Sequence, residues 1–371
     1  MRFNSLSGEW QLTTYGKISK TFSGGTPTST NKAYYKGDIP FIRSGEIHKE
    51  FTELFINEDA LSNSSAKLVR KGDLLLALYG ATSGEIAISK INGAINQAIL
   101  CIKTEENKRF LKYYWEAHVN RYLTTYLQGG QGNLSADIFK SIKLYLPSKE
   151  EQEKIADCLD IIDERIETQN KIISNLESLI KQINDNVFCG SKNNSVNDCI
   201  TELSVRNKLG NINNVLSVSN KLGFIKQSEQ FEDKEVASED KSNYKIIQKG
   251  TFAYNPARIN VGSIALYNKE EAGIVSPMYI CFRCKNELEK VLEMFFKSQS
   301  FKKEMNKRLE GSVRMCLTID AMKNIKFHMP DSQEQKMLAL IEKLIEKKTL
   351  ESNLLNAYLR QKDYLLSNLF I

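Results

Sequence analysis

This 371-residue sequence predicts an α+β fold: two similar β-rich domains of mixed strand and helix, joined by a long antiparallel coiled coil of two helices. Three observations predict it. The sequence repeats itself at an interval of about 180 residues, each repeat closes in a capped segment with an apolar stripe, and net charge separates the globular parts from the striped parts.

The repeat can be followed residue by residue. KGDLLLALYGATSGEIAISKINGAINQAILCIK, from Lys71 to Lys103, matches KGTFAYNPARINVGSIALYNKEEAGIVSPMYICFR, from Lys249 to Arg283. Gly72, Gly84 and Ala87 fall on Gly250, Gly262 and Ala265 at a shift of 178, and Cys101 falls on Cys281 at 180. Downstream, Leu134, Asp137, Ile142, Pro147 and Glu151 meet Leu317, Asp320, Ile325, Pro330 and Glu334 at a shift of 183. The chain therefore reads as a tandem duplication of one globular unit and one long helix, divided at residues 1–147, 148–188, 189–330 and 331–371.

Each striped segment opens with a helix signal. Ser148 and Glu151 follow Pro147 in the spacing of a capping box, and Asp331 and Glu334 repeat it after Pro330. In the first segment Ile155, Leu159, Ile162, Ile166, Ile173, Leu176, Ile180, Ile183 and Val187 stand three, four or seven residues apart, a seam of the coiled-coil type. In the second, Leu338, Ile341, Ile345, Leu355, Leu359, Leu366 and Leu369 follow the rule less strictly, with Lys348 interrupting. Such stripes are packing surfaces. A helix of about 40 residues is roughly 60 Å long and does not stand alone, and its nearest partner is the other helix of the same chain. Antiparallel pairing would hold two equivalent domains at opposite ends of a spacer.

Residues 1–147 carry 18 Lys/Arg against 13 Asp/Glu and residues 188–330 carry 22 against 16, a net +5 and +6. Residues 148–187 are net −5 and residues 331–371 neutral. Basic globular parts on an acidic or neutral strut fit a polyanion gripped at two places. No apolar run spans a bilayer, and MRFNSLSGEWQL lacks a signal-peptide core, so no membrane and a cytoplasmic location are expected. Seven scattered cysteines fit buried, reduced thiols better than a disulfide framework.

Enzymatic motifs are incomplete. A phosphate loop needs four residues between its glycines and then a lysine; Gly80 and Gly84 enclose three, and Glu85 stands where the lysine belongs. Asn255-Pro256-Ala257 resembles the Asn-Pro-Pro-aromatic loop of amino-methyltransferases but lacks its second proline and aromatic residue, and no glycine-rich motif for the methyl donor accompanies it. PDSQEQK, from Pro330, has nuclease-like carboxylates already explained by capping. Cys281 and Cys284 are one C-x-x-C pair on a strand, where positions three apart face opposite sides, so no metal site is expected. His48, His118 and His328 have no triad-like neighbours in sequence.

The order of domain, long helix, domain and long helix resembles the DNA-specificity (S) subunit of Type I restriction-modification systems. So do SGGTPTSTNKAYYKGDIPFIRSGEI from Ser23, KGDLLLALYGATSGEIAI from Lys71, LPSKEEQEKIADCLDIIDERI from Leu146, and KQSEQFEDKEVASEDKSNYKIIQKGTFAYNPARINVGSIAL from Lys226. The likeness covers nearly the whole chain and both copies. It implies that residues 1–147 and 189–330 are target recognition domains, each reading half of a bipartite site in double-stranded DNA. It implies too that the helices set the spacer and seat two methyltransferase (M) subunits, onto which restriction (R) subunits assemble. The chain itself would then be non-catalytic and free of cofactor, with S-adenosylmethionine, ATP and Mg bound by partner subunits. The alternative is a coiled-coil scaffold whose globular ends bind other proteins.

Reading bases requires donors and acceptors on elements that enter a groove, while phosphates are met by Lys, Ser, Thr and backbone N–H groups. In the first domain the candidates are Ser23, Gly24, Gly25, Thr26 and Thr28, with the glycines allowing close backbone approach. Arg43, Ser44, Tyr79, Thr82 and Ser83 join them, as do Gln128, Gln131 and Asn133 of a glycine-rich turn. In the second they are Lys221, Lys226, Asn255, Arg258 and Asn260, with Ser312 and Arg314 matching that turn.

Overall fold

The computed structural model describes residues 8–126, 134–220, 222–227, 241–311 and 315–370. The protein is α+β, and its chain divides into two compact units, Met1–Asn170 with Asn353–Ile371, and Lys171–Ser352.

In the first unit a main antiparallel sheet runs in the order Ser19–Ser23, Ile99–Thr104, Leu74–Ala77, Ile86–Ile88. Its two faces pack into two cores. Leu74, Leu76, Ile86, Leu100 and Ile102 join Trp115, Phe110 and Tyr15 on one side, whereas Leu75, Ala77, Ala87, Ile99 and Cys101 join Ile42, Val69 and Ile95 on the other. That two-sided burial is why LLLA is uniformly apolar rather than alternating. A second sheet follows the order Phe55–Ile56, Ile39–Ile42, Gly93–Ile95, Lys67–Val69, with its central pair parallel. Gln11–Thr14 pairs with Lys143–Leu146.

The second unit repeats this topology. Its main sheet is Ile200–Leu203, Ile280–Cys284, Thr251–Tyr254, Ile264–Tyr267; its second sheet is Gly223–Lys226, Val215–Ser219, Gly273–Val275, Lys245–Ile247, again with a parallel central pair; and Asn194–Ser195 pairs with Lys326–Phe327. Register is repeated as well. Leu75 stands opposite both Ala87 and Cys101, and Ala253 opposite both Ala265 and Cys281. Gly72 and Gly250 have φ of +88° and +83°, and Gly84 and Gly262 +89° and +90°, a region that penalises any side chain. Cys281 and Cys284 contribute to different cores on opposite faces of their strand. Cys101, Cys199 and Cys281 are buried, but Cys189 is exposed.

Two helices continue from the sheets, Lys149–Val187 (the central helix) and Ser332–Leu369 (the distal helix). Asp331 and Glu334 form a reciprocal capping box, each side chain accepting the other's backbone N–H at 2.8 and 2.9 Å. At the central helix Ser148 Oγ accepts from Glu151 N at 3.3 Å, while the Glu151 carboxylate accepts from Trp10 Nε1 at 3.3 Å.

In the first unit the central helix buries Ile155, Leu159 and Ile162 and half-buries Ile166; Leu366 of the distal helix packs against the core that holds Ile155 and Leu159, and Leu355 is half-buried. Leu359 departs from the expected seam: it is 41% exposed, and Tyr358 and Lys362 occupy that face instead. Arg165 lies over the Tyr358 ring at 5.8 Å, and Lys362 pairs with Asp163 at 2.7 Å and Glu116 at 3.0 Å. Lys112 also pairs with Asp163 and Glu116, and the Tyr113 hydroxyl donates to Asp160 at 2.6 Å and Asp163 at 2.9 Å. In the second unit Leu176, Leu338 and Ile341 are buried, Ile173, Ile180, Ile183 and Ile345 half-buried, and Lys348 pairs with Glu177 at 3.2 Å. Low central-helix numbers meet high distal-helix numbers in the first unit, and high meet low in the second, so the pairing is antiparallel.

Candidate nucleic-acid interface

Sheet register decides which loops can act together. In the first unit Ser23 stands opposite Leu100, Ala77 opposite Ile99, and Leu76 opposite Ile86. The segment after Ser23, the turn before Ile99 and the loop between Ala77 and Ile86 therefore emerge at one end of the main sheet. Ile42 pairs with Ile95 and its carbonyl accepts from Asn96 N at 3.3 Å, which brings Arg43 and Ser44 to the same end.

The side chains there divide into supports and presented groups. Gly24 and Gly25 are supports: a Cβ on Gly24 would lie 1.8 Å from the Ile95 carbonyl oxygen, and one on Gly25 2.6 Å from Ser65 Cβ. The close approach these glycines allow is to their own domain, because the chain threads directly over the end of Gly93–Ile95. Arg43 is committed too. Its guanidinium donates to Glu46 at 3.1 Å and to Glu53 at 2.6 Å. Burial pushes the Glu46 carboxyl up, but Arg43, the Glu53 and Arg43 backbone N–H groups and the Thr52 hydroxyl outweigh it and hold it at about 2. Ser83 Oγ donates to the Leu78 carbonyl at 2.9 Å and the Thr82 carbonyl accepts from Glu85 N at 3.0 Å, so both close the loop. Trp115 Nε1 donates to the Gly84 carbonyl at 2.7 Å and fixes the loop on the helix Lys108–Tyr126.

Thr26 and Thr28 are exposed, Ser23, Ser44 and Tyr79 half-buried. Thr26 and Tyr79 converge on a residue that sequence reasoning missed, Gln97 at the tip of the turn: the Thr26 hydroxyl donates to its side-chain Oε1 and the Tyr79 hydroxyl to its backbone carbonyl. The residues meet across 71 positions of sequence, and no local pattern marks them.

In the second unit Leu203 stands opposite Cys281, and Tyr254 opposite both Ile280 and Ile264, so the corresponding loops share one end. Asn255 is only 7% exposed; its Oδ1 accepts from Ala257 N at 3.0 Å and shapes the loop from within. Arg258 and Asn260 are exposed beside Val261, and among the described residues the Arg258 guanidinium has no partner. The turn equivalent to that of Gln97 carries Pro277 and an exposed Met278, whose sulfur lies 3.9 Å from Asn255 Nδ2. Lys226 is exposed on its edge strand, opposite Leu216. Gln128, Gln131, Asn133, Lys221, Ser312 and Arg314 lie outside the described residues. Among the described residues no three His, Cys, Asp or Glu side chains converge to hold a metal ion, and no helix is long and apolar enough to cross a membrane.

The family model of the Type I restriction modification DNA specificity domain matches residues 7–178 and 206–358. The Type I restriction enzyme MjaIX specificity subunit of Methanocaldococcus jannaschii is 28% identical over 190 residues, 48% of this chain and 44% of that protein. The EcoR124I/EcoR124II specificity subunit of Escherichia coli is 27% identical over 168 residues, 42% of this chain and 41% of that protein. The chain thus spans less than half the length of the curated relatives it matches. Among solved structures, the S subunit of a Type I restriction-modification system from M. genitalium superposes with a TM-score of 0.61 at 15% identity, over 100% of this chain and 97% of that one. A chain from a type I system solved to explain complex assembly gives 0.56 at 13% identity, with 97% of both chains covered.

Proposed function

The chain belongs to the Type I restriction modification DNA specificity domain family, and on that premise we propose that it recognises a bipartite site in double-stranded DNA, one half-site per unit. The observation that carries this reading is the loop-bearing end of each main sheet. Strand order, main-sheet register and two left-handed glycines, Gly72 with Gly250 and Gly84 with Gly262, are shared by both units, whereas the presented groups differ: Thr26, Tyr79 and Gln97 in one, Arg258, Asn260 and Met278 in the other. A fixed frame with different tips is what two half-sites of different sequence need. The paired helices set the spacer and seat two methyltransferase subunits, and restriction subunits join through them. Catalysis belongs to those partners, which bind S-adenosylmethionine, ATP and Mg, and the assembly acts in the cytoplasm.

Genome-wide methylation mapping tests this in cells with and without the chain alongside its methyltransferase subunit. Two specific blocks separated by an unspecific spacer should be methylated only when both are present. Methylation independent of the chain, or sequence-blind binding, refutes the reading and leaves a protein-binding scaffold.

A further inference from the structure

We infer that Gln97 is a specificity-determining residue of the first unit and that it reads an adenine through the major-groove edge. The inference rests on the proposed DNA reading and sharpens it to one side chain and one base. Gln97 sits at the tip of the turn between Gly93–Ile95 and Ile99–Thr104, where Ile99 N donates to the Asn96 carbonyl at 3.2 Å. Both neighbouring loops hold it. Thr26 takes one lone pair of its Oε1, Tyr79 ties down its backbone carbonyl, and Gly25 N donates to the Ile95 carbonyl at 3.2 Å, which joins the Thr26 segment to the strand before the turn.

What remains free is a carboxamide in fixed orientation. Gln97 is exposed, its Nε2 has no partner among the described residues, and the second lone pair of Oε1 is open. Those two groups are the complement of adenine, which offers N6–H as donor and N7 as acceptor. Preorganisation matters because a free glutamine loses rotamer entropy on binding; here Thr26 restrains the carboxamide itself, and Tyr79 restrains the backbone that carries it. The equivalent turn of the second unit has Tyr279 N donating to the Ser276 carbonyl at 3.0 Å but carries Pro277 and Met278 at its tip, which supply no such donor. The adenine contact therefore belongs to one half-site only.

The test maps methylation by the complete complex carrying Gln97→Ala, then measures methylation of duplexes with each base in turn at the affected position. Wild type should prefer A·T there by about tenfold or more, and Q97A should lose that preference while every other position in both half-sites is unchanged. Thr26→Val should show an intermediate loss at the same position. A wild-type bipartite motif that Q97A leaves unaltered overturns the inference and spares the DNA reading. A wild type with no bipartite motif overturns both.

Discussion

The helix pair makes a quantitative prediction about the spacer. A heptad inserted after Asn170 and a matching one after Leu354 would lie midway between the Asp163–Lys362 and Glu177–Lys348 pairs, and both would keep the four–three spacing of the seam. One heptad adds about 10 Å at 1.5 Å per residue, the axial length of about three base pairs at 3.4 Å each. Three base pairs also turn DNA by roughly 100°, at 10 to 10.5 per turn, whereas a heptad barely changes the phase of the seam. Three matched heptads add about 31 Å, or about nine base pairs, which nearly restores both distance and phase. In a duplex library with fixed half-sites and varied spacers, a complete complex carrying the one-heptad variant should methylate sites whose spacers are about three base pairs longer, and slowly. A complex carrying the three-heptad variant should methylate sites whose spacers are about nine or ten base pairs longer at close to the native rate. An unchanged spacer preference, or altered half-sites, would refute the assignment of measuring to the helices and reading to the units.

Four more outcomes are expected. Trp115→Phe leaves the buried Gly84 carbonyl without its donor, at a cost of about 1–3 kcal/mol seen in thermal denaturation, and should blur the first half-site more than the second. Lys362→Met removes a side chain whose charge burial opposes but Glu116 and Asp163 sustain; with these groups partly solvated, about 1–2 kcal/mol of stability should be lost, and no measurable loss would show the cluster to be inert. Burial raises the Asp163 and Glu46 carboxyls, but Lys112 and Lys362 on one and Arg43 on the other outweigh it, so both sit below their ordinary values, Glu46 at about 2. Their stabilisation is complete above those ordinary values and lost as pH falls below them; melting temperature should be flat from pH 7 to about 5 and drop beneath, less steeply in Asp163→Asn, and an unchanged slope in that variant would remove Asp163 from the account. Arg258→Ala should weaken DNA binding by the assembled complex and lower its salt slope by about one; an unchanged slope would place Arg258 away from phosphate.

The duplication was legible because its markers are obligatory. Gly72, Gly84, Gly250 and Gly262 hold backbone angles that other residues resist, and Cys101 and Cys281 occupy matching strand registers. The helix starts were legible because caps are local chemistry. Leu359 misled because the four–three count is satisfied equally well by the exposed leucine, and Tyr358 and Lys362 win the face through Arg165, Glu116 and Asp163. The loop residues were only half legible. Composition picked out Thr26 and Tyr79, but it could not show that Arg43 is spent on Glu46 and Glu53, that Gly24 faces Ile95, or that Gln97 stands between Thr26 and Tyr79. Those facts depend on a parallel strand pair and on contacts made across long stretches of chain.

The ends of the two helices have a bearing on how the molecule is made. Phe188 packs against Phe295 at 5.5 Å inside the second unit, and Phe370 packs against Phe110 at 5.6 Å and Tyr114 at 5.5 Å inside the first. On the ribosome, the first unit gets its closing aromatic only after all of Lys171–Ser352 has been synthesised, so the half that begins folding first is finished last. Until then its core lies open around Phe110, Tyr114 and His118, a window in which a chaperone or a partner subunit would meet it.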